Sequence, residues 1–175
     1  MKAVVDTNVV AYLLLNTDKF VDEARECMAV VGAAMAPAHW EAELANVIWM
    51  AVRAGVLLPE DGRSKLALSR KLGIESIATA PLCQGALVRS IASGVAAYDT
   101  LFVELAIRMK CPMVTFDKAV LRAFPEVAVR PGRLLSEFRP AGRPVPGVST
   151  FSRQIVLSLR EARAIAIPID ESVYA

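Results

Sequence analysis

The chain is 175 residues long, one domain's worth of protein with room for a short appendage. Hydrophobic residues make up 55% and charged ones 22%, which supplies a core and excludes a mainly disordered chain. Twenty Lys and Arg against 18 Asp and Glu leave a net charge of +2, which excludes bulk, non-specific nucleic-acid binding but permits a local basic stripe.

In chain order, residues 2–5 form a β-branched, apolar run that stops at Asp6-Thr7-Asn8, and a helical pattern follows through Leu15. A second helix is predicted over 18–30, capped by Thr17 or Asp18, then a strand over 32–36 stopped by Pro37. Residues 40–53 are helical and apolar almost all round, so this helix is expected to be buried on most sides. Pro59 opens a helix that ends near Gly73, with Lys65, Arg70 and Lys71 facing water. A weak strand over 74–78 precedes a helix over 81–93 with Gly94 as its stop. An amphipathic helix over 99–110, a strand over 112–116, a helix over 117–124 and a strand over 127–129 complete the pattern. Strands alternating with helices imply an α/β fold, a parallel sheet flanked by helices with its site at the carboxyl ends of the strands.

The boundaries expected are a domain over 1–138 and, over 139–175, a linker plus a helical and extended tail. Pro140, Gly142, Pro144, Pro146 and Gly147 mark the linker, residues 149–163 read as a helix, and the end reads as extended. The most apolar stretch, 27–38, is too short for a membrane span and is broken by Gly32 and Pro37. Asp6, Thr7 and Asn8 interrupt any signal-like run at the start. Cys27, Cys83 and Cys111 are odd in number and lie in apolar segments, which reads as buried free thiols in a reducing compartment, so the expected location is the cytoplasm. His39 is the only histidine and no cysteine pair has ligand spacing, which excludes structural zinc. Serine-nucleophile elbows, phosphate-binding loops and dinucleotide fingerprints are absent.

The acids carry the chemistry. Asp6 lies at the end of the first strand and Asp117 at the end of PMVTF, Asp99 opens a helix after the apolar GVAAY, and Glu43 sits within the most apolar helix. Each has a structural reading: Asp99 and Asp117 as helix caps, Asp6 in an Asx-turn, Glu43 as a paired helix residue. Convergence favours the chemical reading, because buried like charges repel unless a cation neutralises them. Oxygen-only donors suit Mg²⁺ or Mn²⁺ rather than zinc. A phosphoacceptor domain would also gather acids at strand ends, but the required Asp after a middle strand and Lys after the last are not convincingly filled.

VVDTNVV, WEAELANVIW, AAYDTLFVELA and MVTFDKAVL, in this order, resemble the four motifs of PIN-domain ribonucleases, especially the VapC-type toxins of toxin–antitoxin pairs. The resemblance runs from Met1 to about Arg133. It implies a five-stranded parallel sheet of order 3-2-1-4-5 between helices, and an acidic, Mg²⁺- or Mn²⁺-dependent site that hydrolyses RNA. It maps the catalytic and metal-binding acids onto Asp6, Glu43, Asp99 and Asp117; Glu41, two residues from Glu43, is the competing second acid. Asn8, Asn46 and Thr115 match the neighbours that orient such acids. The partners it implies are RNA, an antitoxin protein and a second copy of the chain, with no membrane. Arg53, Lys65, Lys118 and Arg122 are the candidate substrate-binding cations, and Tyr98 a candidate for stacking on a base or for packing. For the tail two readings stand: an inhibitory segment aiming Arg160 or Arg163 at the acids, or a packing helix. The alternative to an enzyme is a non-catalytic PIN-like module that binds RNA or protein.

Overall fold

The computed structural model describes residues 1–138. The linker and helix expected beyond Phe138 lie outside the described residues. The elements are β1 (Lys2–Val5), α1 (Thr7–Leu15), α2 (Val21–Val30), β2 (Ala33–Pro37), α3 (Trp40–Arg53), α4 (Pro59–Ser69), β3 (Glu75–Ile77) and α5 (Cys83–Ser93). They continue with α6 (Ala97–Met109), β4 (Met113–Val114), α7 (Lys118–Ala123), β5 (Ala128–Val129) and α8 (Pro131–Phe138). All the strands pair in parallel, in the order β3-β2-β1-β4-β5. The sheet and its order are those the resemblance implied.

β1 is central, and its Ala3, Val4 and Val5 are buried. α1 follows with every residue buried, packed against α2, α3 and α4. Its apolar run therefore serves neighbours all round rather than one face. Fully burying each of Leu13, Leu14 and Leu15 stabilises the fold by about 1.5–3 kcal/mol. Asn16 ends the helix in the left-handed region at φ 55°. There Lys65, expected to face water, donates from Nζ to the Leu14 carbonyl at 2.6 Å. A helix end leaves carbonyls without partners, and Lys65 satisfies one of them, so it is a structural residue here.

Pro37 belongs to β2 rather than stopping it, paired with Ile77 of β3. The register with β1 ends at Met35, so the missing N–H of Pro37 costs the central pairing nothing. α2 begins only at Val21, and Thr17 serves it with its backbone carbonyl, which accepts from Phe20 and Val21, rather than as a side-chain cap. Of the thiols expected to be buried, Cys27 is, Cys111 is half-buried and Cys83 is exposed.

On α6, Glu104 is almost fully buried and receives Arg89 of α5 at 2.8 Å and Arg108 at 2.7 Å. Gly85 of α5 makes room for it, since a Cβ there would land on the Glu104 carboxylate. α8 was not read from the sequence. It packs on α2, where Glu23 accepts from Arg130 at 2.9 and 3.0 Å and from the Gly132 N–H at 2.6 Å. No single helix among the described residues is long and apolar enough to cross a membrane.

Candidate active site

The carboxyl ends of β1 and β4 lie side by side, with Asp6 one residue beyond β1 and Thr115 one beyond β4. Asp6 is 7% exposed. Its backbone turns the strand into α1, and its Oδ1 caps that helix by accepting from the Asn8 N–H at 3.4 Å. Oδ2 accepts from Thr115 Oγ1 at 2.5 Å and from Asn8 Nδ2 at 2.9 Å. Thr115 Oγ1 in turn accepts from the Asp117 N–H at 2.9 Å, and Asn8 Oδ1 from the Phe116 N–H at 3.1 Å. One network thus fixes Asp6, Asn8, Thr115 and the backbone leading to Asp117.

Asp117 caps α7, its Oδ1 accepting from the Val120 N–H at 2.8 Å. Asp99 does not open its helix. α6 starts at Ala97, placing Asp99 in the first turn, where the N–H dipoles favour a negative charge. Glu43 is held by Thr7, whose Oγ1 donates to Oε2 at 2.6 Å, and lies beside His39, with Nε2 3.3 Å from Oε1. Glu41 is exposed, accepting from Ser76 Oγ at 3.1 Å, away from the other acids.

Asp6, Glu43, Asp99 and Asp117 all line one cavity of about 330 Å³, together with Asn8 and Asn46. No Lys or Arg among the described residues lines it. Tyr98 stands exposed on its rim, with its ring 5.7 Å from that of His39. Burial raises the Asp6 pKa to about 7; the hydrogen bond from Thr115 opposes the rise, and the charges of Asp99 and Glu43 add to it. Burial, with Asp117 and Glu43 adding to it, raises Asp99 to about 6, while His39 opposes. The acids therefore repel one another with no Lys or Arg of the described residues among them.

Hard oxygen donors with surplus negative charge match the chemistry of Mg²⁺ or Mn²⁺. Both His39 ring nitrogens are buried and make no hydrogen bond, so polar capacity beside Glu43 and Asp99 is left unused. As the side chains stand, no three His, Cys, Asp or Glu among the described residues are grouped closely enough to enclose an ion.

The PIN-domain family model matches residues 3–128, most of the chain and all four acids. The chain belongs to the PIN-domain family. No curated protein matches the chain in sequence comparison. PIN domains are generally nucleases that typically use divalent metals and act on RNA, so the acidic cavity lies on a nuclease fold. Thr7 and His39 were missed as site residues. Both had a positional signal: Thr7 follows Asp6, and His39 lies one helical turn before Glu43. Of the candidate cations, Lys118 and Arg122 lie next to the cavity, whereas Arg53 sits 5.3 Å from the Trp49 ring.

Proposed function

We propose that this PIN-domain chain is a Mg²⁺- or Mn²⁺-dependent endoribonuclease acting as the toxin of a toxin–antitoxin pair. The observation that supports the reading is the convergence of four carboxylates on one cavity that no Lys or Arg among the described residues lines. Asp6, Glu43, Asp99 and Asp117 would hold the ion. A divalent cation supplies two things to phosphodiester hydrolysis: neutralisation of phosphate charge and acidification of the attacking water.

The protein's share is positioning. Asn8 and Thr115 fix both the rotamer and the charge distribution of Asp6. Thr7 holds Glu43 at the mouth beside His39, where its side chain is 32% exposed. Asn46 also lines the cavity, exposed on α3, with its Nδ2 donating to Met50 Sδ at 3.8 Å.

The toxin role rests on the likeness of the four acidic motifs to VapC-type proteins, and the antitoxin partner and the cytoplasmic location follow with it. Leu87, Val88 and Ile91 form an exposed apolar stripe on α5, which supports a homodimer as the working state. A second reading, a non-catalytic module that binds RNA or protein, draws on the spacing of the acids, which encloses no ion as the side chains stand. Single-stranded RNA incubated with Mg²⁺ or Mn²⁺ separates the two. The nuclease cleaves it, a chelator stops the cleavage, and Asp6→Asn abolishes it. RNA bound but never cut by the wild-type protein would leave the second reading.

A further inference from the structure

Asn8, Asp99 and Asp117 form a wall shared by the acidic cavity and a second one, of about 470 Å³. The second cavity has a different character. Its floor is aromatic: Tyr12 and Phe20 stack with centroids 4.5 Å apart at 16°, and Phe116 meets them at 5.3 and 5.0 Å. Its remaining lining includes Lys19, Lys118, Arg122 and Arg130, contributed by separate parts of the chain. Lys19 lies 5.0 Å from the Phe20 ring centre and Arg130 5.4 Å from that of Phe116. Among the described residues, one wall therefore separates a cavity with four acids and no Lys or Arg from a cavity with four basic residues and an aromatic floor.

The chemistry of each half narrows the ligand. Aromatic floors take flat apolar groups, and Lys or Arg at the rim adds attraction for an anion. A ligand that satisfies both carries a planar ring and a phosphate, which describes a nucleotide. Position narrows it further, because the second cavity adjoins the acids across the shared wall. We propose that this cavity is a nucleotide subsite: it receives the RNA residue adjoining the bond cut at the acids. Lys118 and Arg122 contact its phosphate, and the floor of Tyr12, Phe20 and Phe116 lies under its base. The cavity's adjacency to the cut bond rests on the nuclease reading, whereas its capacity for a nucleotide does not.

The base and the phosphate are tested separately. Lys118 and Arg122 are both exposed, so Lys118→Ala with Arg122→Ala removes the charges without opening the core. Phe20→Leu keeps apolar volume and removes the ring. The four nucleoside 5′-monophosphates and inorganic phosphate are titrated without metal into the full chain and followed by NMR. The monophosphates are expected to bind the wild type more tightly than phosphate. The double variant should weaken them at least tenfold, and Phe20→Leu should weaken them several-fold while leaving phosphate unchanged. Arg63→Ala, on the outside of α4, serves as the control.

With an oligoribonucleotide substrate and Mg²⁺ or Mn²⁺, the double variant should raise KM about tenfold with kcat within twofold. Phe20→Leu should change the base preferred beside the cut. Monophosphates that fail to bind the wild type, bind no tighter than phosphate, or bind the variants equally well would overturn the subsite. Unchanged KM and unchanged base preference would overturn it as well. Nucleotide binding that the variants weaken, with no RNA cleaved by the wild type, would support the subsite and defeat the nuclease reading.

Discussion

Two buried acidic sites in this domain have opposite fates. Glu104 on α6 is as buried as Asp6 at the end of β1, at 6% and 7% exposure. Burial pushes the Glu104 carboxyl upward, but hydrogen bonds from Arg89 and Arg108 outweigh it and hold the group below its ordinary range. Burial pushes Asp6 upward too, and its neighbours across the cavity are acids, so it ends near 7. Glu104 is neutralised by cations of the chain and clips α5 to α6. Asp6, Glu43, Asp99 and Asp117 share one cavity that no Lys or Arg among the described residues lines, an arrangement that costs stability and that the proposed cation would relieve. Burial alone does not distinguish a structural acid from a chemical one; the identity of the neutralising charge does.

The comparison breaks most sharply in activity. Glu43→Gln should lower RNA cleavage by about two orders of magnitude or more, a loss typical of removing an electrostatic group from a hydrolytic site. Glu41→Gln, whose carboxylate accepts from Ser76 away from the lining of the cavity, should keep it. Rates measured with one labelled RNA decide between them, and the reverse result would move the second acid to Glu41. Next in size comes the neutralised site. Arg89→Ala with Arg108→Ala strips Glu104 of both partners and should cost about 3 kcal/mol in urea unfolding, the low end for an orphaned buried charge because both arginines are partly exposed. The same pair of changes with Glu104→Gln should recover part of that loss.

Gly85→Ala is expected to cost roughly 1–3 kcal/mol, because the new methyl displaces a carboxylate that two arginines hold in place. A thermal melt showing no loss would mean that Glu104 is freer than its hydrogen bonds imply. The smallest effect is a slope with pH. Asp6 and Asp99 have folded pKa values of about 7 and about 6, above their unfolded values near 4. Between those limits the folded protein binds more protons than the unfolded one. In chelator, the contribution of these two acids to stability is therefore full below pH 4 and is lost as pH rises through 6 and 7. Asp6→Asn should flatten the slope, and Mg²⁺ or Mn²⁺ at pH 7 should raise the melting temperature more in the wild type than in Asp99→Asn. Equal shifts would remove Asp99 from the site.

The sheet was legible because its strands are short β-branched or apolar runs bounded by polar turns, as at VVDTN, and because alternation with helices leaves little choice but a parallel arrangement. The edge where the acids gather follows from that arrangement. Glu43 was not decided by periodicity, since two residues on a helix apart from each other by two can each face a cleft. The tertiary partners Thr7 and Ser76 separate Glu43 from Glu41. α8 was missed because Pro131 and Gly132 look like a turn, whereas Pro suits the first helical position and the Gly132 N–H is taken by Glu23 over a sequence distance no local pattern records. Lys65 misled for the same reason. A lysine on a polar helix reads as solvated until the carbonyl it reaches, 51 residues away, is in view.

Arg130 belongs to two neighbourhoods. Its guanidinium holds Glu23 where α8 meets α2, and the same group lies against Phe116 at the nucleotide-sized cavity. One side chain cannot serve both independently. Thermodynamic linkage makes any trade between them reciprocal: a ligand that draws Arg130 toward the cavity loosens α8 by the same free energy by which loosening α8 strengthens that ligand. Helix α8 can thus act as a dial on a cleft it does not line, and ligand affinity becomes a readout of how firmly that helix is seated.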